Sequence, residues 1–323
     1  MKRALVTGGA GFIGSHVADR FASAGYRVEI IDNLSSGRRE NVPSSAVLHN
    51  LDVGSPEAAE IVQGGSFDVV AHLAAQMDVR KSVADPRYDA GVNILGTLNV
   101  IEAIRKSKHA SRLVFTSTGG AVYGVSAHPP TVETSPKEPE SPYAISKLTV
   151  EYYLAYYHRL FGLEAAVLRF GNVYGPRQDP AGEAGVVSIF CNRILDGRPL
   201  TVFGNGMQTR DYIYVSDVVD AVWRGATGTL PNDAGLDARA FNVGTSIGTS
   251  VLDLASHLQR AAGTDLPLEF ASKRPGEQQD SYIAIDKANH LLGWEPKVEL
   301  PEGLAITYEW FASNRLTGAT GKS

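Results

Sequence analysis

Several residue types and patterns are scarce in this chain, and each scarcity excludes a class of protein. A single cysteine, Cys191, among 323 residues leaves no internal disulfide framework and indicates a reducing compartment, so a cytoplasmic location is expected. No uninterrupted apolar run is long enough to cross a bilayer, so no membrane partner is expected. A net charge of only -5, without a long run of one sign, gives no electrostatic support for binding nucleic acid. The histidines lack the spacing of ligands, so no metal is expected.

Hydrophobic residues are plentiful, and they follow the rhythm of an α/β fold. They make up 43% of the chain, which is enough to bury a large core and suits two cooperating domains. Apolar segments predicted as strands alternate with helical patterns; these segments are 4–7, 27–31, 46–53, 67–75, 112–118 and 165–170. The alternation predicts a doubly wound parallel sheet with ligands at the carboxyl ends of its strands.

The first predicted strand runs directly into a glycine-rich turn, followed by a helical pattern over Ser15 to Ala24. Gly8 permits a tight turn, Gly11 allows a pyrophosphate to approach the backbone, and Gly14 allows the helix to pack on the strand. The N–H groups at the start of the helix can then bind an anion. The spacing indicates a dinucleotide site, although glycine-rich turns also occur without a ligand.

An acidic residue ends the second predicted strand, where a dinucleotide site needs a carboxylate for the adenosine ribose. Asp32 is that residue, and the alternative is an acid that only caps the loop. A carboxylate there would repel a 2′-phosphate, which favours NAD over NADP, whereas the nearby Arg38 and Arg39 would tolerate the phosphate.

A tyrosine and a lysine four residues apart begin a long predicted helix that follows Pro142. Tyr143 and Lys147 would lie on one helix face, about one turn apart. A nearby cation stabilises a phenolate and lowers the tyrosine pKa from its ordinary value of about 10, towards a range useful for proton abstraction. The same helix carries the aromatic residues Tyr152, Tyr153, Tyr156 and Tyr157, which we interpret as core or helix-pair packing.

Taken together, these motifs resemble the extended short-chain dehydrogenase/reductase family, in its NAD-dependent nucleotide-sugar branch. The matching segments are 7–14, 32–33, 72–75, 117–118, 143–147, 168–177, 204–217 and 274–277, so the likeness covers nearly the whole chain. Within the family, the sequence is most similar to the UDP-glucose 4-epimerases. The resemblance implies a NAD-binding Rossmann domain over 1–169 with a return segment near 213–243. It also implies a smaller α/β domain over 170–315 that mainly binds the nucleotide sugar, followed by a frayed tail over 316–323.

The resemblance further implies a reaction, the reversible epimerisation of a UDP-hexose at C4. Tyr143 would take the proton of the sugar 4-hydroxyl while NAD accepts the C4 hydride, and Lys147 would hold the nicotinamide ribose. Thr118 would hydrogen-bond the reacting oxygen. The turn after Thr118 is longer than the family pattern, so Ser117 could share that role.

By the same resemblance, each half of the chain receives a set of binding residues. The cofactor set is Gly8, Gly11, Phe12, Ile13, Gly14, Asp32, Asn33, Ser35, Ser36, Gly37, Asp52, Val53, Leu73, Ala74, Ala75, Gln76, Asn93, Thr116, Tyr143, Lys147 and Phe170. The substrate set is Thr118, Tyr143, Asn172, Val186, Val187, Thr201, Val202, Phe203, Gln208, Arg210, Tyr212, Arg274, Glu277 and Ser281. Within it, Arg210 and Arg274 are predicted to clamp the diphosphate.

Three alternatives to the epimerase are left open by the sequence. Sugar-nucleotide 4,6-dehydratases carry an Asp-Glu pair after the active-site threonine, and UDP-glucuronate decarboxylases keep a glutamate there. This chain has Gly119 and Gly120, so a general acid for elimination is missing. A non-catalytic NAD-binding regulatory protein would not need Tyr143 and Lys147.

Two further expectations follow from the resemblance. The small side chain of Ser281 leaves room beside the sugar C2 substituent, which predicts some activity on N-acetylated UDP-hexosamines. Helices predicted over Val92–Lys106 and Tyr143–Phe161 match the four-helix interface through which relatives form homodimers.

Overall fold

The computed structural model describes residues 1–125, 128–179, 185–273 and 278–320, with side chains up to residue 315. The strands in chain order are β1 (Arg3–Thr7), β2 (Arg27–Ile31), β3 (Val47–His49), β4 (Val69–His72), β5 (Arg112–Thr118), β6 (Ala165–Phe170), β7 (Asn172–Tyr174), β8 (Leu200–Phe203), β9 (Thr209–Arg210), β10 (Tyr212–Tyr214), β11 (Ala240–Val243), β12 (Thr249–Ser250), β13 (Leu268–Ala271) and β14 (Asp280–Ser281). The helices are α1 (Phe12–Ser23), α2 (Pro56–Gly64), α3 (Val79–Ala84), α4 (Pro86–Ala90), α5 (Gly96–Lys106), α6 (Pro142–Phe161), α7 (Val186–Leu195), α8 (Val215–Thr227), α9 (Val251–Ala262), α10 (Asp286–Leu292) and α11 (Leu300–Thr320).

A seven-stranded parallel sheet forms the centre of the molecule, in the order β11-β6-β5-β4-β1-β2-β3. From β1 the chain adds β2 and β3 on one side, and from β4 it adds β5 and β6 on the other. The strand order therefore reverses between β1 and β4, which opens a crevice at their carboxyl ends. This topology confirms the predicted doubly wound sheet.

Each face of the sheet has its own hydrophobic core, because alternate strand residues point to opposite faces. On one face, α1 and α8 pack against β1, β4, β5 and β6. On the other face, α2, α5 and α6 do so. Both sides of the central strands are thus covered, as their continuous apolar runs predict.

The chain returns to the central sheet late in the sequence. Helix α8 packs against α1, where the Trp223 ring lies 5.5 Å from the Phe21 ring and 4.2 Å from the Arg20 guanidinium. Strand β11 then adds to the edge of the sheet, with Phe241 opposite Leu168 of β6. Two elements from the second half of the chain, α8 and β11, therefore belong to the central sheet and the helices that cover it.

The remaining strands form three small sheets beside the carboxyl edge of the central one. They pair as β7 with β10, β8 with β13, and β9 with β12 and β14. Helices α7, α9 and α11 pack around them. Among the described helices, none has the length and apolar composition needed to cross a membrane.

A buried ion pair fixes α6 to the central sheet. Arg169 of β6 and Glu151 of α6 both have fully buried side chains, and Arg169 also contacts Asp237. Burial alone would lower the pKa of Arg169, but the charge of Glu151 and the hydrogen bonds to it raise the pKa above its ordinary value. Because α6 carries Tyr143 and Lys147, this pair helps to fix the height of both side chains over the sheet.

Several predicted boundaries were wrong. The third strand covers only Val47–His49 rather than 46–53, because the Asp52 carboxylate accepts the N–H of Gly54 and turns the chain there. The fourth strand ends at His72. The helix predicted from Val92 is preceded by α4 and begins as one π-helical turn over Gly91–Leu95. Helix α1 begins at Phe12 rather than Ser15.

The aromatic residues of α6 do not share one environment. Tyr157 is buried and packs in the core, as interpreted from the sequence. Tyr152, Tyr153 and Tyr156 are exposed, so these three lie outside the core, and helix-pair packing, the other half of the interpretation, stays a prediction for them.

Candidate active site

A cavity of about 1350 Å³ lies along the carboxyl ends of the central strands and extends to α7 and β8. It is bordered by the residues that end β2 and β5 and by those that follow β1, β4 and β6. This is the crevice that the reversal of strand order predicts as a ligand site. Most of the residues predicted from the sequence meet there.

The glycine turn at one end of the cavity is shaped for close backbone approach. Gly8 has a φ of +69°, and a Cβ there would lie 2.7 Å from the backbone nitrogen of Ala74. A Cβ on Gly14 would overlap the carbonyl oxygen of Gly8. Helix α1 starts beside this turn with Gly11 as its N-cap and no side-chain cap, so its first N–H groups are available to an anion. These features fit a dinucleotide pyrophosphate.

Asp32 both caps its loop and borders the cavity. Its carboxylate accepts the backbone N–H of Ala10 at 2.9 Å and of Leu34 at 2.8 Å. Each carboxylate oxygen can accept a further bond, so capping and ribose binding are compatible. Arg38, which could have favoured a 2′-phosphate, lies 3.6 Å from Glu40 and 3.9 Å from Asp179.

Tyr143 and Lys147 line the middle of the cavity from the first two turns of α6. Ser141 caps this helix through the N–H of Ala144. Lys147 is only 4% exposed, and its Nζ donates to the carbonyl oxygen of Thr116 at 2.9 Å. The same Nζ lies 5.9 Å from the centre of the Tyr143 ring. A buried cation at this distance stabilises the phenolate form of the tyrosine.

The two candidate hydroxyl groups at the end of β5, those of Ser117 and Thr118, have different surroundings. Ser117 donates its hydroxyl to Glu151, the residue that pairs with Arg169 behind the sheet. Thr118 is the next residue and lies opposite Phe170 in the register, at the edge of the cavity. Because side chains alternate along a strand, Thr118 is directed away from Glu151. Both residues line the cavity, but the Ser117 hydroxyl is bound to Glu151, and this favours Thr118 as the group that acts with Tyr143.

His72 forms a hydrogen-bonded chain that the sequence reasoning did not find. Its Nδ1 lies 2.7 Å from the hydroxyl of Thr7, and its Nε2 lies 2.9 Å from the hydroxyl of Thr97. The Thr97 hydroxyl donates to the carbonyl of Asn93, so the proton between His72 and Thr97 belongs to Nε2. Burial, together with the charge of Lys147, lowers the pKa of His72 to about 3. His72 is therefore neutral and joins the glycine turn to the helices beyond β4.

Asn93 is part of a buried network rather than of the cavity wall. Its side chain bonds the backbone of Gln76 in both directions and donates to Asp89. Asp89 also accepts the hydroxyl of Ser146, the neighbour of Lys147. Asn93 thus contacts the cavity through Gln76, and its own role towards the cofactor stays a prediction.

The cavity brings together most of the predicted cofactor set. Its lining includes Gly8, Gly11, Phe12, Ile13, Gly14, Asp32, Asn33, Ser35, Ser36, Asp52, Val53, Leu73, Ala74, Ala75, Gln76, Thr116, Tyr143, Lys147 and Phe170. Gly37 lies just behind, where a Cβ would be 2.8 Å from the Asp32 carboxylate.

The predicted substrate set is only partly on the cavity wall. The lining includes Thr118, Tyr143, Asn172, Val186, Thr201, Phe203, Gln208, Arg210 and Tyr212. The side chains of Val187 and Val202 belong to the core, so they could reach a ligand only through their backbone. Ser281 is opposite Arg210 in the β9–β14 pairing. Arg274 and Glu277 lie outside the described residues.

Asp211 supports the substrate side of the cavity, and the sequence reasoning missed it. It lies between Arg210 and Tyr212, is almost fully buried, and accepts the N–H and the hydroxyl of Thr245 at 2.7 Å each. Burial raises the pKa of this carboxyl although these hydrogen bonds lower it. Two cavity residues are thereby held in place by one carboxylate.

Arg193 was also missed, although its spacing is visible in the sequence. It lines the cavity together with Val186, Ile189 and Phe190, which precede it by seven, four and three residues on α7. This spacing defines a single helix face.

Within the described residues, no group of three or more His, Cys, Asp or Glu side chains could hold a metal ion.

The fold and the site define a class: a doubly wound dinucleotide-binding protein with a Tyr–Lys pair facing the nucleotide cavity. Residues 4–244 match the NAD dependent epimerase/dehydratase family, and the chain belongs to it. The family uses NAD, and the cradle described above fits that cofactor.

Named relatives agree with this membership over their full lengths. The UDP-glucose 4-epimerase of Mycolicibacterium smegmatis is 44% identical over 96% of this chain and 98% of that protein. The Thermotoga maritima UDP-glucose 4-epimerase, solved with UDP-glucose, has a TM-score of 0.92 at 43% identity, covering 97% and 99% of the two chains. The Thermus thermophilus UDP-glucose 4-epimerase, solved with NAD, has a TM-score of 0.88 at 41% identity, covering 96% and 99%.

Proposed function

We propose that this protein reversibly epimerises a UDP-hexose at C4, interconverting UDP-galactose and UDP-glucose through a transient 4-keto sugar. The observation that carries the proposal is the position of Tyr143, with the buried ammonium of Lys147 beside it, on the wall of the nucleotide cavity. The names of the relatives support the choice of substrate. The same reaction would give the protein a role in galactose metabolism.

In the proposed mechanism, Tyr143 removes the proton of the sugar 4-hydroxyl and later returns it. Lys147 stabilises the phenolate electrostatically, which lowers the tyrosine pKa without a separate base. Thr118 orients the reacting oxygen from the end of β5. Gly8, Gly14 and Asp32 would hold NAD, which would supply reversible hydride transfer at the sugar C4. No external redox partner is therefore required.

The other half of the cavity would hold the nucleotide and its diphosphate. Arg210 supplies a guanidinium from β9, and Arg274 is proposed to supply a second one. Asn172, Gln208 and Tyr212 are proposed to complete the polar contacts with the substrate.

The turn after Thr118 argues for epimerisation rather than dehydration. A Cβ on Gly119 would lie 2.7 Å from Ile283 and 3.2 Å from the carbonyl oxygen of Arg169, so a longer side chain does not fit there. A Cβ on Gly120 would have as its nearest atoms the Asn172 amide oxygen, at 3.8 Å, and the Ser281 hydroxyl, at 4.0 Å. Neither position offers a carboxylate, and elimination of water needs a general acid.

Further parts of the proposal concern the whole chain. The 1–169 segment, with the return segment 213–243, would bind NAD, and 170–315 would mainly bind the UDP-sugar. Homodimers would form through α6 and through α5 with the π-helical turn that precedes it; Tyr152 is exposed on α6 and Leu95 on that turn. The single cysteine fits a cytoplasmic location.

The decisive experiment is incubation of the purified holoprotein with UDP-galactose, followed by chromatography of the sugar nucleotide. We expect UDP-glucose; a 4-keto-6-deoxy product would indicate a dehydratase, and no turnover would indicate a binding protein.

Tyr143→Phe should retain NAD but lose at least about 100-fold in kcat, since it lacks the general base. Near wild-type turnover by this variant would remove Tyr143 from the mechanism. In a parallel assay, the small side chain of Ser281 predicts measurable conversion of UDP-GlcNAc.

A further inference from the structure

The cations that border the cavity differ in whether a carboxylate neutralises them. Arg38 approaches Asp179, Arg80 pairs with Asp78 at 3.1 Å, and Arg177 pairs with Asp19 at 2.7 Å. Arg193 has no carboxylate partner among the described residues, although it borders the same cavity and is only partly exposed. A guanidinium in such a position attracts an anion or a strong acceptor from the ligand.

Two structural features direct Arg193 towards the cavity. Its helix face is the one that carries Val186, Ile189 and Phe190, all of which line the cavity. Its Nη1 donates to the carbonyl oxygen of Pro199 at 2.8 Å, immediately before β8. This bond fixes the fork while leaving its other N–H groups available.

The position along α7 indicates which part of the ligand Arg193 would meet. Helix α7 begins at Val186, and its amino end favours the negative charge of a diphosphate. Arg193 lies seven residues further, or about 10 Å at 1.5 Å per residue. Arg193 is hydrogen-bonded to Pro199 just before β8, and Thr201 and Phe203 of that strand line the same cavity.

We propose that Arg193 is a further substrate-binding residue, which donates to acceptor oxygens in the UDP part of the substrate. The inference rests on the proposed function in its choice of ligand. The acceptors are phosphate oxygens or the carbonyl oxygens of uracil, since both present lone pairs to a guanidinium. Arg193 acts in binding alone, because the proton transfer belongs to Tyr143 at another wall of the cavity.

The test compares Arg193→Met with the wild-type holoprotein, with UDP binding measured by calorimetry. A lost charge-assisted hydrogen bond should weaken UDP binding by about 10- to 100-fold and raise KM for UDP-galactose similarly. Bound NAD should be unchanged, and kcat should stay within about threefold, because a contact with UDP contributes equally to binding of the ground state and of the transition state. Arg193→Lys should bind with intermediate affinity, since it keeps the charge but not the fork.

Arg198→Met is the matched control. Arg198 follows the same helix, is exposed, and pairs with Asp196 outside the cavity, so its removal makes the same change in net charge. The control should bind UDP as the wild type does. Equal weakening in the two variants would show a long-range charge effect and would overturn the proposal. The proposal would also be overturned if the folded Arg193→Met variant bound UDP with an affinity within about twofold of wild type.

Binding of UDP, UMP and uridine distinguishes a contact of Arg193 with phosphate from a contact with uracil, and either contact supports the proposal. If Arg193 meets phosphate, the variant should lose affinity for UDP but keep its affinity for uridine; UMP should weaken as well if the contact is with the α-phosphate and stay unchanged if it is with the β-phosphate. If it meets uracil, uridine should weaken by the same factor as UDP. The proposed function is judged separately, by conversion of UDP-galactose by the wild type. The affinity for UDP, measured by calorimetry, tests the role of Arg193 whether or not UDP-galactose is converted.

Discussion

At the scale of single residues, His72 shows how burial sets a protonation state. The unfolded chain binds a proton at this histidine below pH 6.5, whereas the folded protein does not until about pH 3. Stability from this residue is therefore complete above pH 6.5 and falls as the pH drops towards 3. Between pH 7 and 4.5 the loss should reach about 3 kcal/mol. We expect His72→Gln, which lacks the titrating group, to show a shallower pH dependence of unfolding free energy.

The measurement is urea unfolding of the holoprotein at a series of pH values, with wild type and variant compared at each. Carboxylates titrate in both proteins, so the difference between the two curves isolates His72. His290→Gln is the control, because His290 is exposed and should leave the wild-type curve unchanged. Parallel curves for wild type and His72→Gln would contradict the neutral, buried state of His72.

At the scale of secondary-structure elements, the buried pair between Glu151 and Arg169 fixes α6 against β6. Glu151→Leu leaves the guanidinium buried without its main partner. Breaking such a pair from one side should lower the unfolding free energy by about 3–5 kcal/mol. The double variant Glu151→Leu/Arg169→Met removes both charges and should recover most of that loss.

Denaturant midpoints and thermal unfolding of the holoprotein measure both effects. Lys106→Ala serves as the surface control, because Lys106 lies 3.6 Å from Glu102 in an exposed pair on α5. Its midpoint should match that of wild type, since exposed pairs contribute little. If Glu151→Leu proves as stable as wild type, the pair does not hold α6 in place.

At the scale of the whole molecule, α6 exposes several large apolar side chains in the helix of the proposed dimer interface. Tyr152 is 57% exposed and Leu160 is 61% exposed, and Ile145 lies on the same face. Apolar patches of this kind mark protein–protein contacts. The double variant Tyr152→Glu/Leu160→Glu places charges in the proposed dimer interface, so we expect a monomer by light scattering.

Phe270→Glu provides the comparison, because Phe270 is equally exposed at 61% but lies on β13. That variant should remain a dimer. A monomeric wild type, or a dimer that survives both charges on α6, would rule out the interface.

The sequence predicted the central features of the fold, and most of the residues it assigned to a site line one cavity. Strands and the glycine turn were visible because period and turn chemistry are local properties. The small strands β7 to β10 and β12 to β14 were not found, since strands of two to four residues carry too little pattern. Asp211 and His72 were missed because their importance depends on partners, Thr245 and Thr97, that are distant in sequence.

The sequence by itself predicted the class of ligand, because a glycine turn and an acid need only their own spacing, and the resemblance of its motifs implied the chemistry. The tertiary structure added an argument for Thr118, since only the packed sheet shows the Ser117 hydroxyl bound to Glu151, and the role of Thr118 stays a prediction. It also showed Arg193 at the cavity without a carboxylate partner in the described chain. Burial and charge pairing arise when distant elements meet, and a local pattern does not contain them.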